Sequence, residues 1–514
     1  MGLRARRLAL LAGLLAPSAA SAQFAPIGVP SGALRVDLGG SVETWDHRWL
    51  DGERSLVGTD LSSPAAGSDV VSSLAGADAR LQRILGNASY RLDLGNLASD
   101  AIAQESRGAI GLALGITSGI TIFGSLPLVQ TRIQTTYALV PTTTSDGGLT
   151  PGTNAQTAFF TEFNSSLTTL SQRISSGDFD ADPARKARAE QTLAEGTELR
   201  DDLAGLLIDP LEASAFVPTA TSAAGTAVTG RVAALQATLA NDFGVGGFTE
   251  LPALPTDPAT TADLLAALSD PSGSSALRLG ESKITFRGDG EAGVALTLVD
   301  RWDRGRSRGG FRLAAEGLVR FPTGQLAPVD RVLAMGTGDG QTDVEVRLTT
   351  DLGGGRWGLR AQGMYNRQLA ADFLIRVAPP TQPLAGLDRL AAVRRDPGDV
   401  LQVAVMPFFR LAPTFAIHGT LMQRTRSADD VTYLSAADEI PGVDASVAAQ
   451  DTKASATVAG FGITYSNPGR LREGGRGLPI DASWGYERIV RTSGGVVQDR
   501  HTMRAQLRAY FQLF

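Results

Sequence analysis

The sequence predicts an all-β transmembrane antiparallel β-barrel of about 12 strands, with 14 as the alternative count, carrying a large and mainly α-helical extracellular insertion. Three observations predict it. Period-2 alternation dominates from residue 286 onward, in stretches near the 9–11 residues that a tilted membrane strand needs or somewhat longer. The links between those stretches alternate between short and long. The chain has no cysteine, so a large exported fold must gain stability without disulfides, and a closed barrel does so by pairing every strand edge.

In chain order, the first expected element is a cleaved leader. Arg4, Arg6 and Arg7 form a basic start, Leu8 to Ala16 are apolar, and Ala20-Ser21-Ala22 before Gln23 reads as a cleavage site. Nine apolar residues cover only about 14 Å of helix, too short for a membrane anchor. Nothing after them is apolar for long enough to span as a helix, so any crossing must be made by strands. Net charge is a mild −6, and no basic patch with interleaved aromatics suggests nucleic acid. A mean hydropathy near zero fits walls in which apolar and polar residues alternate.

Residues 33–45 read as the first strand, followed by a hairpin at 106–116 and 119–137. The C-terminal half supplies strands at 290–302, 311–321, 343–352, 356–366, 401–411, 415–426, 455–465, 479–490 and 502–514, which makes twelve. A further stretch at 88–95 is the source of the 14-strand alternative. In 343–352, Val344, Val346, Leu348 and Leu352 face one way, and Asp343, Glu345, Arg347, Thr349 and Asp351 face the other. A soluble β-sandwich would also alternate, but it does not usually carry charge on nearly every polar face.

Short links fall at 117–119, 303–308, 353–355 and 411–414, with a medium one at 467–477. Long ones fall at 325–342, 376–399 and 428–452, and the link near 492–497 is a short exception. Outer-membrane barrels have short periplasmic turns and longer external loops. Assigning the short set to the periplasm gives one up-down order back to the strand at 106–116.

Residues 138–282 break the pattern. They are rich in Ala, Thr, Ser, Pro and Gly and are helical near 155–175, 183–207, 228–240 and 259–269, with Asp182-Pro183 as a helix start. A shorter helix is expected near 69–85. The organisation is therefore a leader at 1–22, N-terminal barrel strands with a helical external loop at 23–137, the insertion at 138–282, and C-terminal barrel strands at 283–514.

Candidate chemistry is sparse. Asp178, Asp180 and Asp182 resemble a calcium loop, but Pro183 and Ala189 stand where such a loop needs Gly and Glu. The histidines are His47, His418 and His501, none beside a candidate serine nucleophile. No catalytic residue, metal site or cofactor is expected. The lumen-phase charges are more informative: Arg312, Glu316, Arg320, Asp343, Glu345, Arg347, Arg360, Arg410 and Arg424 should line the interior. So many charges cannot be buried dry and unpaired. Either they pair across strands and brace the wall, or water fills the space between them.

Two segments resemble a known family. Gly111-Leu112-Ala113-Leu114-Gly115-Ile116-Thr117-Ser118-Gly119, running on through Ile120 to Val129, is similar to the G-L-T-D-x-L-x-L-x-V-x-L-P hairpin of outer-membrane channels associated with phenol meta-cleavage pathways. Gly288-Asp289, Pro322-Thr323-Gly324 and Gly336-Thr337-Gly338 follow the order of that family's G-D, P-T-G and G-T-G turns. The family is grouped loosely with FadL-like channels. The resemblance implies a non-enzymatic outer-membrane channel for passive uptake of small, hydrophobic solutes. Its implied partners are outer-membrane lipid, the barrel-assembly machinery and an unidentified solute. The alternative is a sealed barrel that displays the helical insertion as a binding module.

Overall fold

In the computed structural model, which describes residues 27–270, 276–302, 309–379, 382–412, 414–467 and 479–513, every barrel strand is antiparallel to the next in sequence. The strands are β1 (Ala33–Trp45), β2 (Asn96–Gly115), β3 (Ile120–Val140), β4 (Gly290–Trp302), β5 (Gly310–Phe321) and β6 (Asp343–Gly354). They continue as β7 (Trp357–Gln368), β8 (Val400–Ala412), β9 (Phe415–Arg426), β10 (Ala454–Ser466), β11 (Ile480–Gly494) and β12 (His501–Gln512). β1 pairs with both β2 and β12, which closes the ring of twelve among the described residues. The 14-strand alternative is therefore corrected. Residues 88–95 form no strand, because Asp93 is drawn into side-chain bonds with Gly95 N and Thr144 Oγ1 instead of a ladder. The expected leader, the turn at 303–308, most of the link at 467–477 and Phe514 lie outside the described residues.

Alternation decides which residues face out. Val346, Leu348, Leu401, Val403, Leu421 and Phe461 are each at least half exposed on the outer face. Val344 to Leu352 spans roughly 27 Å of strand, or about 20 Å of height at a 40° tilt, close to the apolar band of a membrane barrel. Trp357 against Phe409, 4.6 Å between ring centroids, and Phe461 against Trp484 supply the aromatic edge of that band. No described helix is long and apolar enough to cross a membrane.

One end of the barrel carries tight turns and the other carries long loops. At the loop end β2 and β3 extend together to Asn96 and Val140, and their tips carry a helical cap. Its helices are α1 (Ala75–Leu85), α2 (Thr157–Ser175), α3 (Pro183–Leu207), α4 (Ala223–Phe243) and α5 (Thr261–Ser269). Their starts follow local chemistry. Asp182 caps α3 by accepting from Ala184 N and Arg185 N at 3.1 and 3.0 Å, with Pro183 in the first turn. Asp178 and Asp180 are held by Arg173 and Lys186, so the three acids serve the helix junction.

The cap has one apolar core shared by the loop between β1 and β2, the insertion and the strand tips, running from Leu61 and Leu81 through Phe163, Leu203 and Phe243 to Leu97 and Leu139. Phe163 is fully buried and stacks on Phe248 at 4.6 Å. Phe163→Ala should destabilise the cap by about 3–5 kcal/mol. Limited proteolysis within 141–281 should then accelerate while the heat-dependent gel shift of the barrel stays unchanged. Equal loss of both would show that cap and barrel fold as one unit.

Candidate functional site: the barrel lumen

The inward rows of the wall are polar, and cross-strand register decides which charges meet. Opposite Asp351, Arg360 donates Nε to Oδ1 at 2.6 Å and Nη2 to Oδ2 at 2.8 Å. The Arg360 side chain is only 3 % exposed. Arg312 reaches Asp351 at 3.6 Å and Asp300 at 3.3 Å and stacks over Trp302. Nearer the loop end, Arg320 sits among three carboxylates, at 2.6 Å from Asp343, 3.6 Å from Glu345 and 3.8 Å from Glu291. Glu345 also holds Arg347, which lies opposite Glu316 in the ladder. Arg410 is at the turn end, stacked on Trp302 and Phe408 and donating to the Gly355 carbonyl at 2.8 Å. Arg424 lies deep in the barrel with its side chain exposed to the interior.

Several interior charges lie outside the group expected from sequence: Glu43, Glu105, Arg107, Glu291 and Arg500. Arg500 joins Glu43 at 2.7 Å to Glu105 at 3.9 Å. The odd phase of Glu43 in β1, and of Glu105 and Arg107 in β2, was the available signal. For Glu105 it is obscured because the β2 strand begins ten residues before its clean apolar alternation.

At the turn end, residues 27–30 enter the ring. Val29 N donates to Thr121 Oγ1 at 2.9 Å, and Arg35 Nη1 donates to the Ile27 carbonyl at 3.1 Å. Val29, Ala33, Ala113 and Tyr510 form a small buried cluster there. Arg35 and Arg508 converge on Asp37, while Tyr510 and Ser466 hydroxyls donate to Asp481.

At the loop end, the wall is interrupted and then locked. Strand Ser282–Arg287 and β4 both pair with β3, but Gly288-Asp289-Gly290 must pass opposite only Leu126-Pro127. Pro127 has no N–H to give, and its carbonyl accepts from Gly288 N at 2.8 Å. The loop 322–342 is stitched to this break. Thr323 Oγ1 accepts from Gly290 N and donates to the Gly288 carbonyl, both at 2.8 Å. Thr337 Oγ1 donates to the Arg287 carbonyl at 2.9 Å. Asp289 accepts from Gly324 N at 2.8 Å and Asp339 N at 3.1 Å. A Cβ on Gly338 would lie 2.4 Å from the Asp289 carboxylate, so a larger residue there would push that carboxylate aside. The G-D, P-T-G and G-T-G turns, far apart in sequence, are thus one junction. Burial raises the Asp339 carboxyl above its ordinary value, with the negative charges of Asp343 and Asp289 adding to the effect.

From this junction the loop runs inward. Thr131 Oγ1 donates to the Met335 carbonyl at 2.9 Å, and Leu333 and Met335 pack on the inward Ala101, Ala103, Ile133 and Trp45. Beneath the loop is a cavity of about 450 Å3 whose wall is acidic on the β4–β6 side and basic on the β9 side.

No family profile matches the chain, and no curated protein does. Among solved structures it is similar to an outer membrane channel from Pseudomonas putida F1, at 10% identity and a TM-score of 0.43, over 95% of this chain and 99% of that one. It is also similar to the Pseudomonas putida toluene transporter TodX, at 11% identity and a TM-score of 0.25, over 96% and 91%. A Pseudomonas aeruginosa FadL homologue matches at 8% identity and a TM-score of 0.27, over 98% and 100%.

Proposed function

We propose that this chain is an outer-membrane channel through which small solutes, including hydrophobic ones, move passively. The observation that carries the reading is a closed ring with an apolar belt outside and a charged, cavity-containing interior. Charges at this density are tolerated where they pair or where water reaches them, and the exposed Arg424 is consistent with water in the lumen. The resemblance of 111–129 and of the Gly288, Pro322 and Gly336 turns to phenol-pathway channels supports small apolar solutes. On this reading residues 1–22 are removed on export, the barrel-assembly machinery inserts the strands, and the cap at 138–282 faces the outside.

The experiment is solute flux into liposomes carrying the full chain. Uptake of a small aromatic should exceed that of empty liposomes several-fold and should not saturate with time-independent binding. Flux equal to the empty control would overturn the reading. A second reading, a sealed barrel presenting its cap to a partner, is favoured by the cap's own apolar core and by Leu333 and Met335 lying against the inner wall. It is the outcome indicated if flux is absent in both intact and cap-deleted protein.

A further inference from the structure

Across β7 to β10 one inward row reads Met364, Gln402, Arg424 and Ala456. The positions diagonal to Arg424 on the flanking strands are Val400, Ala404, Ala454 and Val458. No acid is within cross-strand reach, and Arg424 makes no hydrogen bond or ion pair with any described residue. Its basic companions in the cavity wall are engaged: Arg320 with Asp343, Arg347 with Glu345, Arg395 and Arg426 with Asp429, and Arg107 with Glu105. Arg426 and Arg500 stand close enough to Arg424 for their charge to act on it, and so do Glu345 and Glu43 at longer range, none of them bonded to it.

We propose that Arg424 is an anion-binding residue of the lumen, and that the channel prefers small organic monoanions, carboxylates with an apolar body, over their neutral counterparts. The inference rests on the channel reading and narrows its solute class. A guanidinium with free donors recognises a carboxylate by charge-assisted bonds, while the neighbouring Arg426 and Arg500 are held by Asp429 and Glu43. Met364 and Val400 line the same cavity and offer surface for an apolar body. The opposite acidic wall, anchored on Arg320, repels a second negative charge, so a monoanion enters with its charged end toward β9 and a dianion is disfavoured. Rings of arginine select anions in pores by the same electrostatics.

The test uses the full chain in detergent and in planar bilayers, with benzoate as probe, benzyl alcohol as its neutral counterpart and chloride as the inorganic arm. Binding of benzoate by calorimetry should be detectable, and benzyl alcohol should bind about tenfold or more weakly. Arg424→Gln should lose a similar factor, and Arg424→Lys should retain most of the affinity. Because Arg424 has no partner to orphan, the Gln variant should fold normally, which the gel shift checks. In bilayers, wild-type protein should favour anions over cations in a salt gradient and Arg424→Gln should reverse toward cations. No benzoate binding, equal binding of benzyl alcohol, equal competition by chloride at matched concentration, or unchanged affinity in Arg424→Gln would each overturn the proposal. Binding that depends on Arg424 without any conductance or flux would uphold the site while overturning the channel reading beneath it.

Discussion

Replacing Arg360 with Met should lower the stability of the folded barrel by about 3 kcal/mol, the largest single-residue effect expected in the wall. Its carboxylate partner Asp351 is 7 % exposed at the side chain, and both oxygens are taken by Arg360. Removing the guanidinium leaves that carboxylate in the wall with only the more distant Arg312, at 3.6 Å. The desolvation cost of the acid then stands largely uncompensated. Urea unfolding from lipid vesicles, followed by tryptophan fluorescence, reads the difference. The double variant Arg360→Met/Asp351→Asn should recover most of the loss, since a neutral pair has no charge to orphan. Additive losses in the double variant would show that the two side chains do not act as a pair.

Replacing Asp289 with Ala should free the loop 322–342 from the wall. Two backbone N–H groups, of Gly324 and Asp339, lose a charged acceptor. Hydrogen bonds to charged groups contribute roughly 1.5 kcal/mol or more each, so the closed arrangement should weaken by about 3 kcal/mol, roughly a hundredfold in population. Cleavage within 325–336 by added protease should accelerate strongly, and bilayer conductance should rise several-fold as Leu333 and Met335 leave the inner wall. Asp289→Asn, which keeps one acceptor oxygen, should fall between. A loop equally resistant to protease in all three proteins would mean that Thr323 and Thr337 hold it without Asp289.

The sequence was legible where its own periodicity carried the answer. Side chains alternate at a period of two along a strand, so the inward set Asp343, Glu345, Arg347 and Asp351 could be separated from Val344, Val346, Leu348 and Leu352 without any partner strand. Alternating link lengths then ordered twelve strands up and down. The helix start at Asp182-Pro183 was equally local, because an N-cap bonds only to residues two or three positions ahead. The lower ends of β2 and β3 were found for the same reason.

What sequence could not supply was anything decided between strands or loops distant in the chain. The upward extension of β2 to Asn96 carries Asp100 and Glu105 in a mixed pattern, and only pairing with β3 makes it strand. The cap reads in sequence as an insertion at 138–282, yet its core also draws on Leu61, Leu81 and the strand tips, which meet only in three dimensions. The turns at Gly288, Pro322 and Gly336 read as separate signatures and become one junction around Asp289. Phase alone placed Arg360 and Arg424 alike on the inner face. Register set them apart, giving Arg360 the carboxylate of Asp351 and Arg424 only Gln402 and Ala456. Period determines which face a residue takes because it is a property of one strand. Whether a charge on that face is braced or left open to a solute is a property of the neighbouring strands, and the tertiary structure alone decides it.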